Sequence, residues 1–301
     1  MSNKNQLVAD LGHISSKMGG SSPTREAREG SFRTFATAMQ KAGFGIRSAA
    51  QIGGRHMTAF VAQRQKDGVS SRTLMNSMSH IRTMLEFIGK ASLAKDPVYS
   101  NEVLGIGQGS RIGTKEPLTD KAQAEFKAAM LAEGRRGIAL TMDFQRLIGL
   151  RMTEAIRGGH LDTLKRWERE LTQKGIVHVV EGTKGGRPRD THVVDKTGAL
   201  RVIREAKELL KAQGGGYLVR RADGSAAKDL KEARSIYRNL CHRAGIQSHS
   251  ARYAFSHDRL AAYMVGGLSE REARAALSMD LGHGDGRGRY VASVYVRGCD
   301  A

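Results

Sequence analysis

The sequence predicts a mainly α-helical chain with one small β-sheet (α+β), built as a helical N-terminal domain followed by a larger domain that carries the sheet. Three observations predict it. Apolar residues recur at helical spacing through most of the chain. Only one stretch pairs two β-branched runs around a glycine-rich turn. A glycine-rich segment with no amphipathic period separates the two parts.

Taken in order, residues 22–43 read as a helix opened by Ser22-Pro23, with Phe32, Phe35, Ala36 and Met39 at helical spacing. Met57, Phe60 and Val61 mark a second helix after Gly53-Gly54. The third is the clearest. Ser70-Ser71 opens it, and Leu74, Met78, Ile81, Leu85 and Ile88 share one stripe, which leaves Arg72, His80 and Arg82 facing outward. Residues 101–116 break the pattern with four glycines. The expected organisation is therefore a helical domain over 1–104, a linker over 105–116 and a second domain over 117–301, Pro117 marking the end of the linker.

Thr119-Asp120 suits a helix N-cap, and the helix it opens turns Phe126 and Met130 inward. Residues 137–150 form another apolar helix that runs into Arg151. Ile176 to Val180 and Thr191 to Val194 then flank a basic glycine-rich turn, a hairpin signal. Helical patterns resume over 198–213, 228–244, 249–266 and 269–280.

Composition narrows the function. A chain of 301 residues that is 40% hydrophobic and 26% charged has enough apolar surface for a sizeable core, which excludes a disordered chain. Forty-nine Lys and Arg against 30 Asp and Glu leave a net charge of +19. The surplus is spread, with 14 basic against 7 acidic residues over 1–108 and 35 against 23 over the rest. Such a balance favours a polyanionic partner contacted by both parts. No stretch approaches the ~18 apolar residues that suit a membrane helix, and the N-terminus shows no signal-peptide pattern. Nucleic acid is therefore expected, not a membrane. Cys241 and Cys299 are too few for a disulfide framework, which fits a reducing cytoplasm.

Four stretches of the second part could carry chemistry. LIGLRMTEAIRG sets Arg151 and Glu154 at i, i+3. EGTKGGRPRD puts Lys184 at a glycine-rich hairpin tip, close to Arg187 and Arg189. HSARYAFSHDRL sets His249 and Arg252 at i, i+3, and LGHGDGRGRYVASVYV places His283 ahead of Tyr290 and Tyr295. Taken singly, each has an ordinary explanation as a surface ion pair, a solvated turn, a capping histidine or packing. Together they suit phosphoryl transfer. Two arginines can grip one phosphodiester, a lysine and histidines can move protons, and a tyrosine hydroxyl can attack phosphorus if cations surround it. The sequence offers no carboxylate cluster for two metals, no phosphate-binding loop for ATP and no zinc set, so no metal or cofactor is expected.

The order Arg151, Lys184, His249-x-x-Arg252, His283 and a terminal tyrosine resembles the tyrosine recombinase (phage-type integrase) family across almost the whole chain. The resemblance makes 1–104 a helical core-binding, DNA-binding domain and 117–301 the catalytic domain. It implies that Arg151 and Arg252 clamp the scissile phosphate, Lys184 protonates the leaving 5′ oxygen, His249 hydrogen-bonds the phosphate or accepts the tyrosine proton, and His283 braces the transition state. Glu154 is then a structural orienter. Arg72 and Arg82 are expected to contact DNA, as are Arg187 and Arg189.

The usual gap of nine residues after the LGH signature would end at Ala292, whereas Tyr290 and Tyr295 lie seven and twelve residues after His283. VASVYV resembles the family ending, so Tyr295 is the expected nucleophile, with Tyr290 the alternative. Tyr253 stands where the family commonly has histidine, a change expected to be tolerated packing.

The resemblance further implies duplex DNA carrying recombination sites, a homotetramer on that DNA, an accessory bending or directionality factor, and a bacterial cytoplasmic setting. Six residues follow Tyr295, so docking of a C-terminal helix on a neighbouring subunit is expected to be reduced or supplied elsewhere. The activity implied is that of an integrase of a mobile genetic element working through a 3′-phosphotyrosine. The competing readings are a cleavage-inactive DNA-binding accessory protein of the same fold and a type IB topoisomerase-like enzyme.

Overall fold

A computed structural model describes residues 2–109, 112–113 and 115–297, with Lys184 described in its backbone only. Cys299 and most of the tail after Tyr295 lie outside the described residues. The chain forms two compact units, residues 1–110 and 111–301.

The first unit comprises α1 (Asn3–Lys17), α2 (Ser22–Lys41), α3 (Gly54–Lys66), α4 (Ser71–Phe87) and the short α5 (Ala91–Lys95). Helix α2 packs against α1, α3 and α4, burying Phe32, Phe35, Phe60, Met78, Ile81 and Leu85. The sequence reading did not anticipate α1. Its buried stripe is only Leu7, Leu11 and Ser15, too sparse a pattern to stand out. Tertiary contact supports it instead. Buried Arg28 of α2 donates to the Ser15 hydroxyl at 3.0 Å, the Ser15 carbonyl at 2.6 Å and the Gly19 carbonyl at 2.8 Å, so it satisfies acceptors that the end of α1 leaves open.

Off the stripe of α4, the expected outward-facing set divides. Arg72 is exposed. Arg82 is half-buried and donates to the Tyr99 carbonyl at 2.6 Å and to Asn101 Oδ1 at 2.9 Å. His80 is also half-buried, against the Ser31 hydroxyl at 2.9 Å. The Arg82 guanidinium, expected as a DNA contact, also ties α4 to the segment after α5.

The second unit is built around α7 (Arg136–Ile148), in which every residue from 137 to 145 is buried. A helix buried on most of its circumference belongs at a centre, and α7 packs against α6 (Asp120–Ala132), α8 (Met152–Gly158), α10 (Lys196–Ala212) and α12 (Ser250–Val265). Thr119 caps α6 as expected, accepting from the Ala122 amide at 3.2 Å. The expected run of α7 into Arg151 is interrupted: Gly149 has φ +68°, and a Cβ there would stand 2.4 Å from the Phe255 ring. Only glycine fits that corner, so Arg151 begins a new helix rather than ending the old one.

Helix α9 (Leu161–Lys174) leads into β1 (Ile176–Val179), which pairs antiparallel with β2 (Arg189–His192), Val179 opposite Arg189. Trp167 is fully buried and its indole N–H donates to the His178 carbonyl at 3.0 Å, holding α9 to the hairpin. Helices α11 (Leu230–Arg243), α13 (Glu270–Asp280) and α14 (Gly288–Val294) complete the unit, α13 lying against both β2 and α14. Among the described residues no helix is long and apolar enough to cross a membrane.

Candidate active site

The site grows from two helix ends. The last carbonyls of a helix have no partner within it and carry partial negative charge. At the end of α13, the Asp280 carbonyl accepts from Arg189 Nε at 2.8 Å. The next carbonyl, that of Leu281, accepts from Arg151 Nη2 at 3.0 Å and from Arg252 Nη2 at 2.6 Å. The end of α7 contributes the Gly149 carbonyl, which accepts from Arg252 Nη1. Three arginines distant in sequence thus converge.

Glu154 is the anion that makes this convergence tolerable. It is fully buried on α8, with Oε1 accepting from Arg151 Nη1 at 2.6 Å and from Arg189 Nη1 at 2.7 Å. Its Oε2 accepts from Arg189 Nη2 and from the Arg151 amide, each at 2.7 Å, and lies 3.7 Å from Arg252 Nη1. Burial pushes the Glu154 carboxyl up, but the hydrogen bonds and charges of Arg189, Arg252 and Arg151 outweigh it and hold the group down at about 2.

Arg252 is fully buried, and burial lowers its guanidinium to about 10, still charged near neutrality. With both terminal nitrogens engaged, its Nε–H is buried without an acceptor. An unmet donor of this kind costs free energy unless an incoming group supplies the acceptor.

Tyr295 closes the site from the end of α14. Its ring lies 5.6 Å from the Arg252 guanidinium carbon and 4.7 Å from the Tyr253 ring. Its hydroxyl lies 3.3 Å from His283 Nε2, and its carbonyl accepts from His257 Nε2 at 3.0 Å. Tyr290 also approaches His283, ring to ring at 5.0 Å, but it is only half-buried. His283 follows Gly282, whose φ of +64° and close approach to the Arg189 stem (2.7 Å from a Cβ) demand glycine. His249 is the N-cap residue of α12, and burial, then the nearby Lys115 and Arg252 charges, bring it down to about 4. It is therefore a neutral imidazole near neutral pH, able to accept a proton.

The structure thus brings together Arg151, Glu154, His249, Arg252, His283 and Tyr295. The Lys184 side chain lies outside the described residues; its backbone starts the hairpin tip, where Gly185 and Gly186 take φ of +74° and +69°. Arg187 is exposed. Arg189 requires correction as a DNA contact: its side chain is 4% exposed and forms a two-pronged ion pair with Glu154. Strand alternation carried the missing signal, since β2 buries Arg189 and Thr191 and exposes Asp190 and His192. Sequence reasoning also missed Lys115, half-buried and within electrostatic reach of Tyr295 and His249.

The fold of the chain is similar to that of solved integrase structures. The Tn1549 transposon integrase, in complex with transposon right end DNA, superposes with a TM-score of 0.61 at 12% identity, over 97% of this chain and 96% of that one. The lambda integrase dimer bound to a COC′ core site gives 0.56 at 14% identity, over 94% and 75%. A lambda integrase tetramer bound to a Holliday junction gives 0.57 at 14%, over 97% and 79%. No curated protein sequence matches the chain. The family model for integrases matches residues 105–259, and that for the N-terminal part of phage integrases matches residues 4–94. Matches of this extent on both units, with the same fold in the solved structures, make the chain a member of the tyrosine recombinase (phage integrase) family.

Proposed function

We propose that the protein is a site-specific DNA recombinase, the integrase of a mobile genetic element, which cleaves and rejoins duplex DNA through a 3′-phosphotyrosine at Tyr295. The observation that carries this reading is the placement of the Tyr295 hydroxyl 3.3 Å from His283 Nε2, with its ring beside the buried Arg252.

Arg252 and Arg151 bind the non-bridging oxygens of the scissile phosphate, and the unmet Arg252 Nε–H gains its acceptor on binding. The Tyr295 oxygen attacks phosphorus as the bond to the 5′ oxygen breaks, leaving a 3′-phosphotyrosine and a 5′ hydroxyl. The phenolic proton passes to His249, a neutral acceptor whose basicity rises once phosphate charge lies beside it. Lys184 gives a proton to the departing 5′ oxygen, and His283 donates to the charge that builds up on the phosphoryl group. The phosphotyrosine preserves the energy of the broken bond, so attack by another 5′ hydroxyl rejoins DNA without added fuel. The cationic surplus on both units fits binding to duplex DNA. The proposed assembly is a homotetramer on recombination sites, aided by an accessory DNA-bending or directionality factor.

The test is covalent trapping on a nicked duplex taken from the DNA flanking the element. Wild type and Tyr290→Phe should form the adduct, while Tyr295→Phe and Arg252→Ala should not, and peptide mapping should place it on Tyr295. Loss in Tyr290→Phe alone would transfer the nucleophile to Tyr290. Salt-sensitive binding with no adduct would favour the inactive accessory protein, and plasmid relaxation without strand exchange the topoisomerase.

A further inference from the structure

The segment leading into α6 runs through the second unit in a way the phosphate-binding arrangement does not by itself require. The Gly113 amide donates to the Ser293 carbonyl at 2.9 Å, two residues before Tyr295. A Cβ on Gly113 would stand 2.2 Å from the Val294 carbonyl oxygen, so the backbones meet there as closely as glycine permits. Five residues on, the Leu118 amide donates to the Ser250 carbonyl at 3.0 Å, one residue after His249. Leu118 itself is buried in the core with Ala251 and Ala254. The segment is therefore pinned at one end to the tyrosine-bearing helix and at the other to the start of α12.

Lys115 lies between the two pins. It is half-buried, and among the described residues no carboxylate forms an ion pair with it. Burial lowers its ammonium while the Tyr295 phenol, once ionised, would raise it, and the lysine in turn depresses His249. A partly desolvated ammonium with no carboxylate partner is costly until an anion arrives. Glu154, the buried anion of the site, is already matched by Arg151, Arg189 and Arg252.

We propose that Lys115 is an additional phosphate-binding residue of this site, contacting the scissile phosphate on the side from which Tyr295 attacks. The proposal rests on the reading of the site as a phosphoryl-transfer centre. Lys115 differs in position from Lys184: it approaches from the segment ahead of α6, beside the nucleophile, and it serves the attacking and non-bridging oxygens rather than the leaving one. Its charge also favours the phenolate form of Tyr295 as the new bond forms.

The test uses the full chain with Lys115→Met, which keeps an aliphatic stem in the half-buried position, and Lys115→Arg, which keeps the charge. Each is compared with wild type in single-turnover cleavage of the nicked duplex. Lys115→Met should cleave about 10²-fold more slowly, the usual scale for removing one donor to a developing oxyanion, and Lys115→Arg should recover most of the rate. A duplex with sulfur in place of the scissile 5′ oxygen, a leaving group that needs no proton, should rescue Lys184→Ala but not Lys115→Met. Non-covalent binding in the Tyr295→Phe background should lose ~0.9 from the log–log salt slope when Lys115→Met is added. Unchanged cleavage and slope in Lys115→Met would overturn the proposal, and so would full rescue by the sulfur substrate, which would place the lysine on the leaving group. Absence of any adduct with wild type would sink the recombinase reading instead, and the salt slope would still decide whether Lys115 touches phosphate.

Discussion

Glu154 and Arg189 face each other in a two-pronged ion pair, both oxygen–nitrogen distances 2.7 Å, with side chains 0% and 4% exposed. The pair joins the helix that follows Arg151 to the strand that follows Lys184, so one contact sets the relative position of two separate stretches of sequence.

Removing the Glu154 charge should be severe. Glu154→Gln keeps the shape and leaves three arginines without their anion. Breaking a buried pair costs about 3–5 kcal/mol. For a unit of this size each kcal/mol lowers the melting temperature by about 2–4 °C, so a fall of ~6 °C or more is expected by thermal denaturation followed by circular dichroism. A fall of a degree or less would show that the carboxylate is not the keystone the geometry describes.

Stability should rise with pH on the acid side, and two groups of the site contribute with the same sign, as do His56 and His80 of the first unit, which burial also lowers. Glu154 titrates at about 2 in the folded chain, below its ordinary 4.5, so its contribution is complete above 4.5 and is lost as pH falls through about 2. His249 titrates at about 4 when folded, against 6.5. Between those values the unfolded chain holds the proton that the folded chain refuses, and stability therefore falls as pH drops from 6.5 to 4. Urea midpoints measured from pH 7 to 3 should fall throughout, and His249→Gln should flatten the part between 6.5 and 4. An equally steep decline in that variant would assign the titration to His56 and His80 of the first unit.

The sequence made much of this site legible and hid a definable remainder. Arg151, His249, Arg252 and His283 sit within short boxes whose order is itself informative, and the structure brings them together. The long amphipathic helices were equally readable, because packing needs only a periodic apolar face. Residues whose role depends on a partner distant in sequence were not. Arg189 looks like one more cation of a basic turn until strand alternation turns it inward toward Glu154, 35 residues away. Arg82 looks solvated until the segment after α5 folds back to accept its hydrogen bonds. Lys115 falls in a stretch with no period at all, and only the hydrogen bonds of Gly113 and Leu118 bring that stretch to the site.

The corner at Gly149 offers a test that leaves every charged group in place. Gly149→Ala would put a Cβ 2.4 Å from the Phe255 ring at a φ of +68°, where left-handed backbone costs an L-residue about 1–2 kcal/mol before any clash. The carbonyl that must move is the one accepting from Arg252. The variant should therefore lose stability by about 2 kcal/mol or more, and adduct formation should slow further than reduced folding explains, as comparison of folded fraction with cleavage rate would show. Wild-type cleavage per folded molecule would mean that Arg252 does not depend on that carbonyl for its position.

Tyr295 stands beside the histidine and arginine of its own chain, and its backbone is tied to His257 of the same chain. Under the proposed function, each copy of the protein would then bring its own nucleophile and its own phosphate-binding arginine to one strand, and a copy lacking either would not be complemented by its neighbour in a mixed assembly.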